Sequence, residues 1–349
     1  MRRNWAARLR LVVIDGLRAV VLENERLRVT VVPDKGGDLI EFLHKPTDTD
    51  FVWLSPQGLR SPRDHLQGAA DDVAQFIDHY AGGWQEVFPN GGAPSEYRGA
   101  RLAQHGEVSG LPWECAVLAD APEEVAVRLS VRTRRLPYRM EKVFRLRAGT
   151  AALEVEGTAT NEAGLRLHAM WGQHIVYGRP FLRPGARIRL PDGVRVIPHA
   201  TAIDPAGRRQ VRAGGPGAWP VVPADGGGEV DLGVVREPGA PSEIVYLTGF
   251  DEGWYEISSH TSGDISGDIS GKIGMRVEWD ASLLPYLWLW QELGSSAGYP
   301  WWGRAYTVGL EPFSSMPTDG LAAAVANGTA LALGPYEAKT LRMRAEVLA

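Results

Sequence analysis

Short runs in which apolar and polar residues alternate dominate the chain. LRLVVID (Leu9–Asp15), RAVVLEN (Arg18–Asn24) and RLRVTVVP (Arg26–Pro33) are β-rich and separated by one or two turn-forming residues, and GDLIEFLHK follows the Gly36-Gly37 break. The same grain returns in EVAVRLSVRTR (Glu124–Arg134), YRMEKVFRLR (Tyr138–Arg147), ALEVEGTATN (Ala152–Asn161) and LRLHAMW (Leu165–Trp171). It resumes in EIVYLTGF, GMRVEWD, YLWLWQEL, AYTVGL and the terminal TLRMRAEVL. In Val125–Val131 the apolar residues fall on every second position, the period of a half-buried strand. Strands this numerous, punctuated by Gly, Pro, Asn and Asp, predict an all-β, mainly antiparallel sandwich.

Two segments break the alternation and read as helices. Asp64–Tyr80 places Leu66, Val73, Phe76, Ile77 and Tyr80 near a 3.6-residue stripe that Gly82-Gly83 ends. Asp319–Asn327 is alanine-rich and stops at Gly328, which predicts a short helix with a glycine C-cap. The Pro/Gly-rich stretch 200–228 reads as long surface connections, and the tandem SGDISGDISGK (Ser262–Lys272) as a hairpin tip or loop. No shift in composition marks a boundary, so a single β domain over residues 1–349 is expected.

Composition narrows the function classes. A net charge of −5 gives no basic field for nucleic acid or an anionic membrane. One cysteine, Cys115, allows neither an intramolecular disulfide nor a cysteine-based zinc site. No apolar run nears the roughly 20 residues of a membrane span. The N-terminal MRRNWAARLRLVVIDG has arginines but only four consecutive apolar residues, Leu11 to Ile14, so a cytoplasmic location is expected. Twelve tryptophans are the unusual number.

The chemistry must come from eight histidines and the carboxylates. HExxH, GxSxG, GxGxxG and P-loop patterns are all missing. His105 lies in LAQHGEVSGLPWE, where the following glycine permits close approach to the backbone. His174 lies in HAMWGQHIVYGRPFL, while His168, six residues earlier, reads as an ordinary strand residue. Glu311 follows the apolar Val308–Leu310 and precedes Pro312, so it is expected at or near a strand end, projecting into a cleft or into solvent.

These segments resemble the aldose 1-epimerase (galactose mutarotase-like) superfamily. GGWQEVFPNGG at Gly82–Gly92 resembles the segment before its first active-site histidine. QHGEVSGLPWE matches a His-Gly pair followed by Pro-Trp, WGQHIVYGRPFL the segment of the second histidine, and VGLEPFSS the strand of the catalytic glutamate. LAAAVANGTALALGPYEAKTLRMRAEV resembles the closing helix, turn and strand. His105 is followed by Gly-Glu-Val where many members have Gly-Phe-Ala-Arg, and Ile175 replaces a common proline, which marks a divergent branch.

The resemblance implies a large β-sandwich of the supersandwich type and an enzyme that interconverts sugar anomers without metal or organic cofactor. Glu311 would be the base on the anomeric hydroxyl, His174 the acid on the ring oxygen, and His105 a second hydrogen-bond donor or orienting group. A raised pKa at Glu311 and a protonated His174 in the complex would suit those roles. Asp251 occupies about the stretch where the family places a substrate-binding aspartate. Trp84, Trp113, Trp171, Trp288, Trp290, Trp301 and Trp302 lie in or beside these segments and are candidates for stacking on a sugar ring. Trp84 comes first because it follows two glycines, while Trp288 and Trp290 on one strand face are equally readable as core. Gln291 and Arg304 are candidates for hydroxyl contacts. The implied partner is a monosaccharide or modified sugar, and a homodimer stays open. A non-catalytic carbohydrate-binding protein, or a glycosidase or lyase using Glu86 or Glu107 beside Glu311, are the alternatives.

Overall fold

The computed structural model describes residues 6–64, 71–260 and 271–349. Two antiparallel sheets carry most of them. One has twelve strands, running from Arg8–Ile14 at one edge through Asp38–His44, Trp84–Val87, Gly172–Tyr177, Tyr306–Phe313, Tyr286–Leu293 and Glu243–Thr248 to Gly217–Ala218 at the other. The other has eight, ordered Arg187–Arg189, Gly253–His260, Lys272–Trp279, Ala338–Leu348, Ala152–Asn161, Tyr138–Arg147, Glu124–Arg132 and Glu114–Asp120. The all-β sandwich read from the alternation is what the chain forms, and several predicted runs, such as Tyr138–Arg147 and Tyr286–Leu293, coincide with observed strands. Among the described residues no helix is long and apolar enough to cross a membrane.

The sheets bury facing surfaces in one apolar core. Strand Tyr138–Arg147 shows why, since its residues alternate buried and half-buried along almost its whole length. Its inward set is Tyr138, Met140, Lys142, Phe144 and Leu146, so a lysine stands where an apolar residue is expected. Lys142 is buried against Glu86 of the opposite sheet at 2.8 Å, with its ammonium over the rings of Trp84 and Phe144. Glu86 also accepts from the Trp171 indole N–H and, at 2.6 Å, from Gln173 Nε2, while Trp84 Nε1 donates to Gln173 Oε1 at 2.8 Å. A polar knot therefore ties the two sheets together at the strands that also carry the site.

Two expectations are corrected by the fold. The stripe over Asp64–Tyr80 yields only a short helix, Ala74–Ile77; residues 65–70 lie outside the described residues. Asp71 Oδ1 accepts from the N–H groups of Val73 and Ala74, which starts the helical turn that leads into Ala74–Ile77. Glu311 is near the end of its strand as expected, although the strand runs on through Pro312 to Phe313. The missing N–H of proline falls where the ladder to Gly172–Tyr177 has no paired residues between Gly309 and Phe313, so it interrupts nothing. The stretch 200–228 is not connection alone: it carries the short strands Gly217–Ala218 and Val221–Pro223. The second predicted helix is observed as Leu321–Ala326, with Gly328 at φ +79° just beyond it. Residues 262–270 of the tandem repeat lie outside the described residues.

The buried cross-sheet pair generates a stability prediction. Lys142→Met leaves Glu86 as an uncompensated buried charge and lowers unfolding free energy by about 3–5 kcal/mol. Adding Glu86→Gln recovers part of that loss. Urea titrations of the three proteins check this, and a Lys142→Met protein as stable as the parent would contradict it.

Candidate active site

Strand register aligns the candidate residues in a row. Gln85 pairs with His174, and Glu311 pairs with Trp288, which in turn pairs with Tyr246. Gly172 pairs with Phe313 and Val176 with Gly309, so His174 stands opposite Glu311 across the open stretch of ladder. Side chains at alternate positions share a face. Gln85, His174, Glu311, Trp288 and Tyr246 thus line up on the face turned away from the second sheet, and His174 Nε2 lies 3.5 Å from Glu311 Oε1. Gly309 makes room for this geometry: a Cβ there would stand 2.4 Å from Glu311 Oε1.

His105 reaches the same place from a loop. Its backbone sits at φ +56°, followed by Gly106 at φ +78° in a turn packed against Phe88. The His105 N–H donates to the Gly92 carbonyl at 3.0 Å, and the Gly92 N–H donates back to His105 Nδ1 at 3.2 Å. That second bond places the ring proton of neutral His105 on Nε2. Asn90 holds the loop by donating to Ala93 and Ala103 carbonyls and accepting from the Leu321 N–H. The imidazoles of His105 and His174 meet edge to face at 5.3 Å.

These three residues share a cavity of about 190 Å³ with aromatic walls. Trp288 and Trp290 rise from one strand face, Trp301 closes one side, and Phe76 and Tyr80 close another. Phe76 packs on His105 at 4.6 Å, and the Tyr80 hydroxyl is 3.4 Å from His174 Nδ1. Burial governs the ionisation of every titratable group here. Glu311 is held well above the usual carboxylate range by burial alone. The same cause lowers His105 to about 4, and lowers His174 well below the ordinary imidazole value, reinforced by the nearby His105 and Lys35. Burial, with Glu311 and Asp38 nearby, also keeps the Tyr80 phenol un-ionised. The favoured arrangement is a protonated Glu311 beside two neutral imidazoles, so the single proton of the pair rests on the carboxyl.

A family model described as a domain of unknown function (DUF4432) matches residues 14–213, more than half of the chain. The chain belongs to the DUF4432 family. No curated protein matches its sequence. Among solved structures it is similar to a Klebsiella pneumoniae protein provisionally named an aldose 1-epimerase, over 98% of this chain and 83% of that one, at 16% identity and a TM-score of 0.71. A galactose mutarotase-like protein of Clostridium acetobutylicum aligns over 99% of both chains, at 13% identity and a TM-score of 0.63. An Escherichia coli K12 protein, also provisionally named an aldose 1-epimerase, aligns over 97% of this chain and 99% of that one, at 16% identity and a TM-score of 0.60. At such identities the likeness establishes the fold: this DUF4432 member has the galactose mutarotase-like β-sandwich fold.

The residues singled out in the sequence divide cleanly in space. His105, His174 and Glu311 converge on the cavity. Trp84 does not line it, because its parity on Trp84–Val87 is that of Glu86, toward the core, whereas Gln85 has the parity of the cavity face. Gln291 is excluded for the same reason: Trp288 and Trp290 face the cavity, and Gln291 instead accepts from Gln210 Nε2 at 3.1 Å. Asp251 lies in a separate depression with Trp254 and Arg276, and Arg304 in another beyond Trp53. His168 hydrogen-bonds Tyr97 at 3.1 Å in the short strand Leu167–Ala169, as an ordinary strand residue.

Other lining residues were not singled out, among them Tyr80, Gln104, Ile203 and Thr318. The signal for part of this wall was present, since Phe76, Ile77 and Tyr80 belong to the apolar stripe read as helical. That stripe faces the cavity as well as the core.

Burial of Glu311 generates a pH-dependent prediction. Its folded pKa is raised above the unfolded value of 4.5, so its contribution to stability is full below 4.5 and is lost as pH rises through the folded value. Glu311→Gln cannot ionise in either state. Its melting temperature should exceed that of the parent by more at pH 7 than at pH 4. A difference that is constant with pH, or that reverses, would contradict the assignment.

Proposed function

We propose that this DUF4432 protein is an aldose 1-epimerase-like isomerase, exchanging α and β anomers of an aldose through the open-chain aldehyde. The observation that carries the proposal is the 3.5 Å approach of His174 Nε2 to Glu311 Oε1 in a buried, tryptophan-walled cavity that His105 completes. Of the tryptophans singled out in the sequence, Trp288, Trp290 and Trp301 offer apolar faces for the C–H side of a pyranose, and Trp84, ranked first there, does not.

Ring opening needs one proton removed from the anomeric hydroxyl and one delivered to the ring oxygen. Glu311 as carboxylate takes the first while His174 as imidazolium gives the second. The C1–ring oxygen bond breaks, and C1 becomes the aldehyde carbon. After rotation about C1–C2 the two groups return their protons in reverse, and the ring closes on the other face. Glu311 and His174 hold one transferable proton whether it rests on carboxyl or imidazole, and transfer between them converts one arrangement into the other. The raised Glu311 pKa makes its carboxylate a stronger base than an exposed one. His105, with its proton on Nε2, can donate a hydrogen bond to the sugar. The reaction is an isomerisation with no net redox change, and these groups account for both proton transfers.

A glycosidase would require a second carboxylate flanking the same bond. Glu86 is on the core face against Lys142, and Glu107 accepts the backbone N–H groups of Arg134 and Arg135. Among the described residues Glu311 is the one carboxylate lining the cavity.

Saturation-transfer NMR on a panel of reducing sugars tests the proposal. The protein should accelerate anomer exchange, and Glu311→Gln or His174→Asn should each reduce that acceleration about 10²–10⁴-fold. Sugar binding without accelerated exchange would make it a binding protein instead. The rate should follow a bell-shaped pH profile between pH 4 and 10. Its acid limb marks a second proton on the pair, and its alkaline limb marks loss of the single proton, displaced upward by the raised Glu311 pKa. A flat profile over that range would contradict the assignment.

A further inference from the structure

A second cavity, of about 220 Å³, adjoins the first. Phe76 and Gln104 line both, and Gly106, which follows His105, lines the second. Its walls carry four cationic side chains, Lys35, Arg101, Arg134 and Arg135. Two of them have carboxylate partners: Lys35 contacts Asp38, and Arg101 lies 2.5 Å from Asp72. Arg134 and Arg135 are exposed, and no ion pair involves either among the described residues.

The turn that carries these two arginines is fixed to the cavity by backbone atoms. Glu107, two residues after His105, accepts the Arg134 N–H at 2.7 Å through Oε2 and the Arg135 N–H at 3.0 Å through Oε1. One carboxylate thus anchors the tip of the hairpin between Glu124–Arg132 and Tyr138–Arg147 onto the loop that delivers His105. Its two acceptor oxygens are engaged by amides, which leaves both guanidinium groups without an acidic side-chain partner. Of the two carboxylates on the wall, Asp72 is paired with Arg101 and Glu107 is engaged by amides, which leaves two guanidinium charges without an ion-pair partner among the described residues. A guanidinium fork matches the oxygens of a phosphate or carboxylate, and charge-assisted hydrogen bonds are the strong ones.

We propose that this second cavity is a subsite for an anionic substituent of the substrate, with Arg134 and Arg135 as its recognition groups. The inference rests on the isomerase reading and deepens it. The substrate class becomes an aldose bearing a phosphate or carboxylate, with its anomeric carbon at Glu311 and its charged group beyond the Phe76 and Gln104 wall. The arginine side chains can be removed without releasing the turn, because Glu107 holds it through main-chain amides.

The test compares anomer exchange on glucose, glucose 6-phosphate and glucuronate, with the intact protein and with an Arg134→Ser/Arg135→Ser double variant. At least one charged sugar should show kcat/KM about 10- to 100-fold above glucose, mainly through KM, the range of one or two charge-assisted hydrogen bonds. The advantage should shrink at high salt and fall toward unity in the double variant. The preferred charged sugar distinguishes phosphate from carboxylate. Equal kcat/KM for neutral and charged sugars, or an advantage that survives the double substitution, overturns the subsite while leaving the isomerase reading intact. Absence of exchange on every sugar overturns both.

Discussion

A carboxyl group buried opposite an imidazole in the middle of a twelve-stranded sheet is the constraint on which the site depends. Glu311 and His174 belong to neighbouring strands, and both are almost fully shielded from water. Burying an ionisable carboxyl is unfavourable unless it stays protonated or gains a partner. The local sequence serves that need at each step. Gly309 leaves space for the Glu311 side chain, Pro312 falls where the ladder is open, and the registers at Gly172 and Val176 keep the pair opposed. Burial that destabilises the ionised Glu311 also raises its basicity, which in the proposed reaction would trade stability for chemistry.

The same strands solve a different problem on their other face. Trp84, Glu86 and Gln173 turn inward, where Glu86 meets Lys142 of the opposite sheet and the tryptophan and glutamine complete the polar knot. Such a pair contributes little net stability compared with apolar packing, but removal of one member is costly. A rigid core behind Trp84–Val87 and Gly172–Tyr177 would fix the positions from which Gln85 and His174 project. Loops finish the job from above: the Asn90–Gly92 segment holds His105, and Glu107 ties the next turn to the neighbouring hairpin.

How much of this was legible in the sequence differs by kind of feature. Strands were legible because burial on one face writes a period of two into the chain, as in Tyr138–Arg147. The three residues that converge were legible through their glycine- and tryptophan-rich surroundings and through resemblance. Parity was not legible at Trp84 and Gln291, because alternation tells which residues share a face and not which face meets the other sheet. Asp251 and Arg304 failed for another reason, since separation along the chain says nothing about the distance between loops at different places on a sheet. The stripe through Phe76, Ile77 and Tyr80 had the right period, but a cavity wall and a core contact leave the same pattern. The role of Glu107 depends on amides 27 and 28 residues away and could not be seen locally.

The central claim is that the Glu311 and His174 pair spans the two oxygens of an anomeric centre. A crystal structure of Glu311→Gln soaked with a reducing sugar tests it most directly. The account predicts a pyranose against Trp288, Trp290 and Trp301, with its anomeric hydroxyl at the position-311 amide and its ring oxygen within about 3.2 Å of His174. A sugar bound with its anomeric carbon away from both residues, or bound only outside this cavity, would contradict it.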